Sequence, residues 1–147
     1  ANSDNHSWDQ HVDLSKRMKN QSAPMFDRGL SGLITDLDQR GMLETTLVIT
    51  AGEFGRTPRI NDNKRGPGRD HWGRCFSLTL GGGGVATGKV IGTSDKYSYS
   101  PQDRPVSVPD FVATIYEALG MDPNAEIVSQ GRPVKMLPDG SPVRELL

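Results

Sequence analysis

Cysteine, histidine and aromatic side chains are scarce in this 147-residue chain, and long apolar runs are missing. The lone Cys75 excludes an intrachain disulfide framework. No apolar stretch approaches the ~20 residues that a membrane-spanning helix needs, so no membrane partner is expected. Excess charge is absent too: the net value is −1, and that balance makes nucleic acid an unexpected partner for the chain as a whole. The polar opening Ala1-Asn2-Ser3-Asp4-Asn5 does not read as a signal peptide. Three histidines are no enrichment, and one taken alone is more often structural or exposed.

What is present is enough for a core. The length predicts one domain over residues 1–147. Phe26, Leu30, Leu33, Ile34 and Leu37 recur on one stripe of a helix over Ser22–Arg40, with Pro24 in its first turn and Gly41 at its stop. Thr45–Thr50 is apolar and β-branched and predicts a strand covered on both faces. A polar loop over residues 52–74 follows, and Cys75–Leu80 predicts a second strand with a buried thiol. Gly81-Gly82-Gly83-Gly84 lacks the spacing of a phosphate cradle and reads as a sharp turn or close backbone approach. Ser107 and Asp110 frame a helix start; Phe111, Ile115, Ala118 and Leu119 form its core face, and Gly120 ends it. An edge strand is expected at Val134–Leu137, before a turn at Pro138-Asp139-Gly140. Helix, strand, loop, strand, helix is the alternation of an α/β layer fold.

The chemistry concentrates in two short segments, Trp8-Asp9-Gln10-His11 and Thr50–Trp72. In open parallel sheets ligands bind beyond the carboxyl ends of the strands, and Glu53 sits three residues past Thr50. Asp70 and His71 reach the same edge if the loop folds back over it, and Asp9 and His11 project together from an extended segment. Asp9, His11, Glu53 and His71 then offer two imidazoles and two carboxylates, with Asp70 as a further ligand or as the group that orients His71. This set suits zinc, manganese or iron more than calcium. His6 is the weaker candidate, near the chain's start. The bland alternative is that these histidines are unrelated and that Trp8 and Trp72 are packing anchors.

Charge supplies a separate clue. Phe54–Arg74 carries six cations (Arg56, Arg59, Lys64, Arg65, Arg69, Arg74) against two acids, a local exception in a slightly acidic chain. Guanidinium groups beside candidate metal ligands suit an anionic ester. A solvated basic loop, or one that meets an acidic segment, explains the same residues.

At these residues the sequence resembles the DUF1501 family, large bacterial proteins abundant in planctomycetes and grouped with the alkaline phosphatase and sulfatase superfamily. The resemblance rests on Trp8-Asp9-Gln10-His11, Asp36-Leu37, Arg40-Gly41, Thr46-Leu47-Val48 and Gly52-Glu53-Phe54-Gly55-Arg56-Thr57-Pro58. It continues through Gly68-Arg69-Asp70-His71-Trp72, Gly92-Thr93-Ser94-Asp95, Ala113-Thr114-Ile115-Tyr116, Leu119-Gly120 and Gly131-Arg132-Pro133. It implies an α/β fold, a three-layer α/β/α domain of alkaline-phosphatase-like architecture, of which this chain is the C-terminal portion. By resemblance Asp9 and His11 match the superfamily's first metal-binding pair and His71 its last histidine, while Gly52-Glu53 stands where the superfamily has Asp-His. A single ion held by Asp9, His11 and His71, with Glu53 as fourth ligand, is therefore expected in place of two. The superfamily nucleophile lies earlier in the fold than these residues begin, and neither Ser3 nor Ser7 replaces it.

The resulting expectation is a metal-dependent hydrolase of sulfate or phosphate esters, small or polysaccharide, with Arg56 and Glu53 in catalytic roles. The cofactor is a divalent ion, zinc foremost, with manganese, calcium and magnesium as alternatives. An extracytoplasmic location is implied by the resemblance alone. The rival is a non-catalytic binding or scaffold protein that keeps the fold; polyanion binding through the basic loop is a third reading.

Overall fold

The computed structural model describes residues 8–147, so Ser3, His6 and Ser7 lie outside the described residues. Among the described residues the architecture mixes two helical runs and two short 3-10 turns with eight short strands. The strands are β1 Val48–Thr50, β2 Gly55–Arg56, β3 His71–Trp72, β4 Thr79–Gly81, β5 Thr93–Ser94, β6 Pro101–Asp103, β7 Glu126–Ser129 and β8 Arg132–Lys135. Two compact units divide the chain. One holds the described residues up to Met42 with Ala51–Leu78 and Ser94–Pro101, and the other holds Leu43–Thr50, Thr79–Thr93 and Gln102–Leu147.

In the first unit the helix begins eight residues earlier than its sequence signals suggest. Helix α1, Leu14–Arg17, runs through a π-turn, Met18–Ser22, into α2, Ala23–Gln39, and the junction residues Arg17 and Ser22 keep right-handed helical dihedrals. Pro24 reads as a first-turn residue because its ring opposes the carbonyl four residues back. The widened π-turn just before it lets the helix pass through that obstacle. Gly41, at φ +67°, closes α2: its N–H donates to Asp38 O and that of Met42 to Leu37 O, the paired bonds of a Schellman stop. The predicted stripe is only partly covered, with Leu37 buried, Leu30 and Ile34 half-buried, and Phe26 and Leu33 exposed. Cys75 is half-buried outside any strand, so the expected buried strand thiol is corrected.

In the second unit β1 pairs with β4 antiparallel, Ile49 opposite Leu80, which corrects the parallel arrangement assumed from the sequence. Parallel neighbours need a crossover, usually helical, and residues 51–78 contain no helix. β1 is half-buried throughout, not covered on both faces, as befits a two-stranded ladder. The glycine run acts as the predicted turn. Gly82 sits at φ +72°, and a Cβ there would strike the backbone carbonyl of Thr46.

Helix α3, Val108–Ala118, starts where the sequence indicates, with a reciprocal Ser107–Asp110 capping box. Ala113, Val143 and Val85 are buried in this unit. The buried Thr114 hydroxyl donates to Asp110 O at 2.7 Å and accepts from Val143 N at 2.9 Å, which ties the chain's tail to the helix. The expected strand at Val134–Leu137 is observed as β8, shifted toward Arg132, and pairs antiparallel with β7. β7 has no counterpart in the sequence reading. Its Gln130-Gly131 turn, with positive φ at both residues, carries no Asn-Gly signature.

Candidate metal centre

Three local features bring the two chemistry-bearing segments of the first unit together. β2 and β3 pair antiparallel with Arg56 opposite His71, so both side chains leave the same face of this short ladder. Within the loop joining them, Asn61 N–H donates to Gly68 O at 2.8 Å and Asn61 Oδ1 accepts from Gly68 N at 2.9 Å, folding residues 61–68 back on themselves. The returning limb then meets the N-terminal segment: Arg69 N donates to Gln10 O, Asp13 N to Gly66 O and Leu14 N to Pro67 O. Gly68 is buried, and a Cβ there would overlap the carbonyl of His11. Glycine is what permits this approach.

The result is a tight triangle of donor atoms. Asp9 Oδ1 lies 2.8 Å from His71 Nε2 and 3.0 Å from His11 Nε2, and the two Nε2 atoms are 3.2 Å apart. A tetrahedron around an ion ~2.0–2.1 Å from nitrogen and oxygen has edges of about 3.3 Å. Two nitrogens and one oxygen at these separations fit a zinc-like ion with a position left open, and the side chains are 39–52% exposed. Asp9 adopts this position at a tight turn, Gln10 N–H donating to Trp8 O, and not in the extended segment anticipated.

The surroundings orient each ligand. Asp70 Oδ1 accepts from His11 Nδ1 at 2.7 Å, which assigns the ring proton to that nitrogen and turns the Nε2 lone pair toward the triangle. Asn61 Nδ2 donates to the Asp70 carboxylate at 3.3 and 3.4 Å and to His11 O at 3.1 Å, so one amide steadies both members of that pair. Arg56 donates from one terminal nitrogen to Asp9 Oδ1 at 2.7 Å and from the other to Arg69 O at 3.4 Å. Phe54 covers the His71 ring at a centroid distance of 4.2 Å. The carboxyl of Asp9 is held down to about 2, chiefly by its hydrogen bond from His71 and next by that from Arg56. Asp70 is likewise lowered, first by His11 and then by Asn61. Both carboxylates therefore stay ionised at neutral pH, as metal-site carboxylates must.

Of the residues singled out in the sequence, Asp9, His11 and His71 form the group, and Asp70 orients His11 in place of His71. Among the described residues Glu53 is not part of that group, and its side chain is exposed. Arg56 reaches the site by gripping Asp9. The sequence reading missed Asn61, Phe54 and Gly68 as contributors. Asn61 sits in Asn61-Asp62-Asn63, a run whose only legible signal is turn polarity.

A family model described as a protein of unknown function, DUF1501, matches residues 2–147. The chain belongs to the DUF1501 family. No curated protein and no solved structure matches it. Within this DUF1501 chain the triangle of donor atoms is the one group of metal-ligating side chains found among the described residues.

Proposed function

We propose that this DUF1501 chain holds a single divalent ion, zinc foremost, between Asp9, His11 and His71 and serves hydrolysis of anionic esters, sulfates or phosphates. The observation that carries the reading is the convergence of two imidazole nitrogens and one carboxylate oxygen within 2.8–3.2 Å of one another. Two imidazole nitrogens and one carboxylate oxygen at these separations are a ligand set that zinc takes, and Arg56 steadies the same Asp9 oxygen at 2.7 Å. The wider setting is a three-layer α/β/α domain of alkaline-phosphatase-like architecture, the form that the family resemblance implies.

When bound, the ion supplies Lewis-acid stabilisation of charge on an ester oxygen. The chain's own residues do the remaining work. Asp70 and Asn61 fix the face that His11 presents, and Arg56 fixes the Asp9 oxygen. Arg59, Lys64 and Arg65 are exposed on the loop between β2 and β3, where they raise the local concentration of an anionic substrate. Glu53 is exposed and is not one of the three clustered side chains.

Zinc stoichiometry by elemental analysis tests the reading. One equivalent is expected in the native protein and none in His71→Ala; unchanged metal content in the variant would refute the ligand role. A panel of aryl sulfate and phosphate esters, with and without chelator, then separates hydrolysis from the rival reading. That rival is a protein that binds an ion and an anionic partner without turnover. It is favoured by the position of Glu53, which stands outside the triangle where the superfamily has an Asp-His pair.

A further inference from the structure

Gln10 lies between two of the proposed ligands in sequence, yet it faces the other way. Asp9 is exposed and His11 half-buried, whereas Gln10 is 2% exposed. Its Nε2 donates to Ser22 Oγ at 2.6 Å, and Ser22 is itself 4% exposed. Ser22 is the last residue of the π-turn, the only such turn among the described residues. A π-turn carries one more residue than an α-turn, so it rotates the following positions about the helix axis by roughly 100°. That rotation decides which face Ser22 occupies. The backbone of Gln10 is held as well, its N–H on Trp8 O and its carbonyl accepting from Arg69 N. A side chain locked between Asp9 and His11 limits how far either ligand can swing.

We infer that Gln10, seated on Ser22 at the π-turn, is a positioning residue that sets the direction of Asp9 and His11 toward His71. It touches neither ion nor substrate and acts through the backbone of its two neighbours. The inference rests on the metal-centre reading for its consequence in zinc affinity, while the ring arrangement it concerns has a readout of its own. The His11 and His71 ring centroids are 4.9 Å apart, close enough for ring-to-ring nuclear Overhauser effects. Two readouts therefore separate the claims.

In metal-free protein, Gln10→Ala and Ser22→Ala should each weaken or abolish the His11–His71 ring cross-peaks while the remaining spectrum stays folded. Ser22→Thr, which keeps the hydroxyl, should restore them. With zinc added, competition against a chromophoric chelator should show an affinity loss of about tenfold or more in the two alanine variants, the magnitude usual for residues that orient metal ligands. Thr114→Val is the control for stability alone: it removes a comparably buried hydroxyl in the other unit and should leave both readouts unchanged. Cross-peaks in Gln10→Ala as strong as in the native protein would overturn the positioning role. If native protein binds no zinc while the cross-peaks still respond to Gln10→Ala, the metal reading fails and the positioning role stands.

Discussion

His11 is constrained from three directions: Asp70 at Nδ1, Asn61 at its carbonyl, and the Asp9–His71 pair at Nε2. Such saturation is costly to assemble for a half-buried histidine and implies that the direction of its lone pair matters. Asp70→Asn retains the shape but loses the charge that fixes the imidazole tautomer. Zinc affinity is expected to fall about 10–100-fold, measured by chelator competition, and an affinity equal to native would remove Asp70 from the site. Elsewhere, Arg104 holds Glu145 in a two-pronged ion pair at 2.8 and 2.9 Å. That contact pulls the Glu145 carboxyl from its ordinary 4.5 to about 2. A lowered carboxyl contributes stability above its unfolded value and loses it as the proton binds the folded form. The contribution is therefore complete above pH 4.5 and disappears toward pH 2. Glu145→Gln should flatten the acid limb of a stability–pH curve across that window and leave its slope between pH 6 and 8 unchanged.

Among the elements, α3 shows local chemistry and packing in agreement. Ser107 Oγ accepts from Asp110 N at 3.2 Å, and the Asp110 carboxylate returns a bond from Ser107 N at 3.1 Å. Ser107→Ala should cost ~1 kcal/mol in urea unfolding, with no change in zinc stoichiometry because the cap belongs to the other unit. The legible elements are those with end signals in their own residues: the caps and stops of α2 and α3, and the glycine turn after β4. Pairing partners were not legible. β1 looked like a strand of a parallel sheet because apolar runs signal burial without signalling direction, and direction came from the return of residues 51–78 to β4. The start of the first helix was hidden for another reason. Pro24 imitates a helix beginning, and the π-turn that carries the helix past it has no sequence signature.

Across the whole molecule, the candidate site was more legible than the sheets. Asp9, His11 and His71 stand out because donor side chains are scarce here and cluster in two short motifs. The groups that aim them were invisible, since Asn61, Gln10 and Gly68 act through backbone approach and ordinary amide bonds that no motif records. The same limit explains Glu53, whose place after β1 suggests a ligand although it is not one of the three clustered side chains; sequence distance from a strand end does not fix where a side chain points. The apolar stripe of α2 shows the same limit: periodicity identifies a face without supplying its cover, and Phe26 at 43% and Leu33 at 47% remain exposed.

The decisive measurement is anomalous scattering at the zinc edge from crystals grown with one equivalent of zinc. A single peak in contact with Asp9 Oδ1, His11 Nε2 and His71 Nε2 is predicted, with Asp70 still on His11 Nδ1. A peak elsewhere, or none beside these three atoms while zinc is in the crystal, would contradict the metal centre.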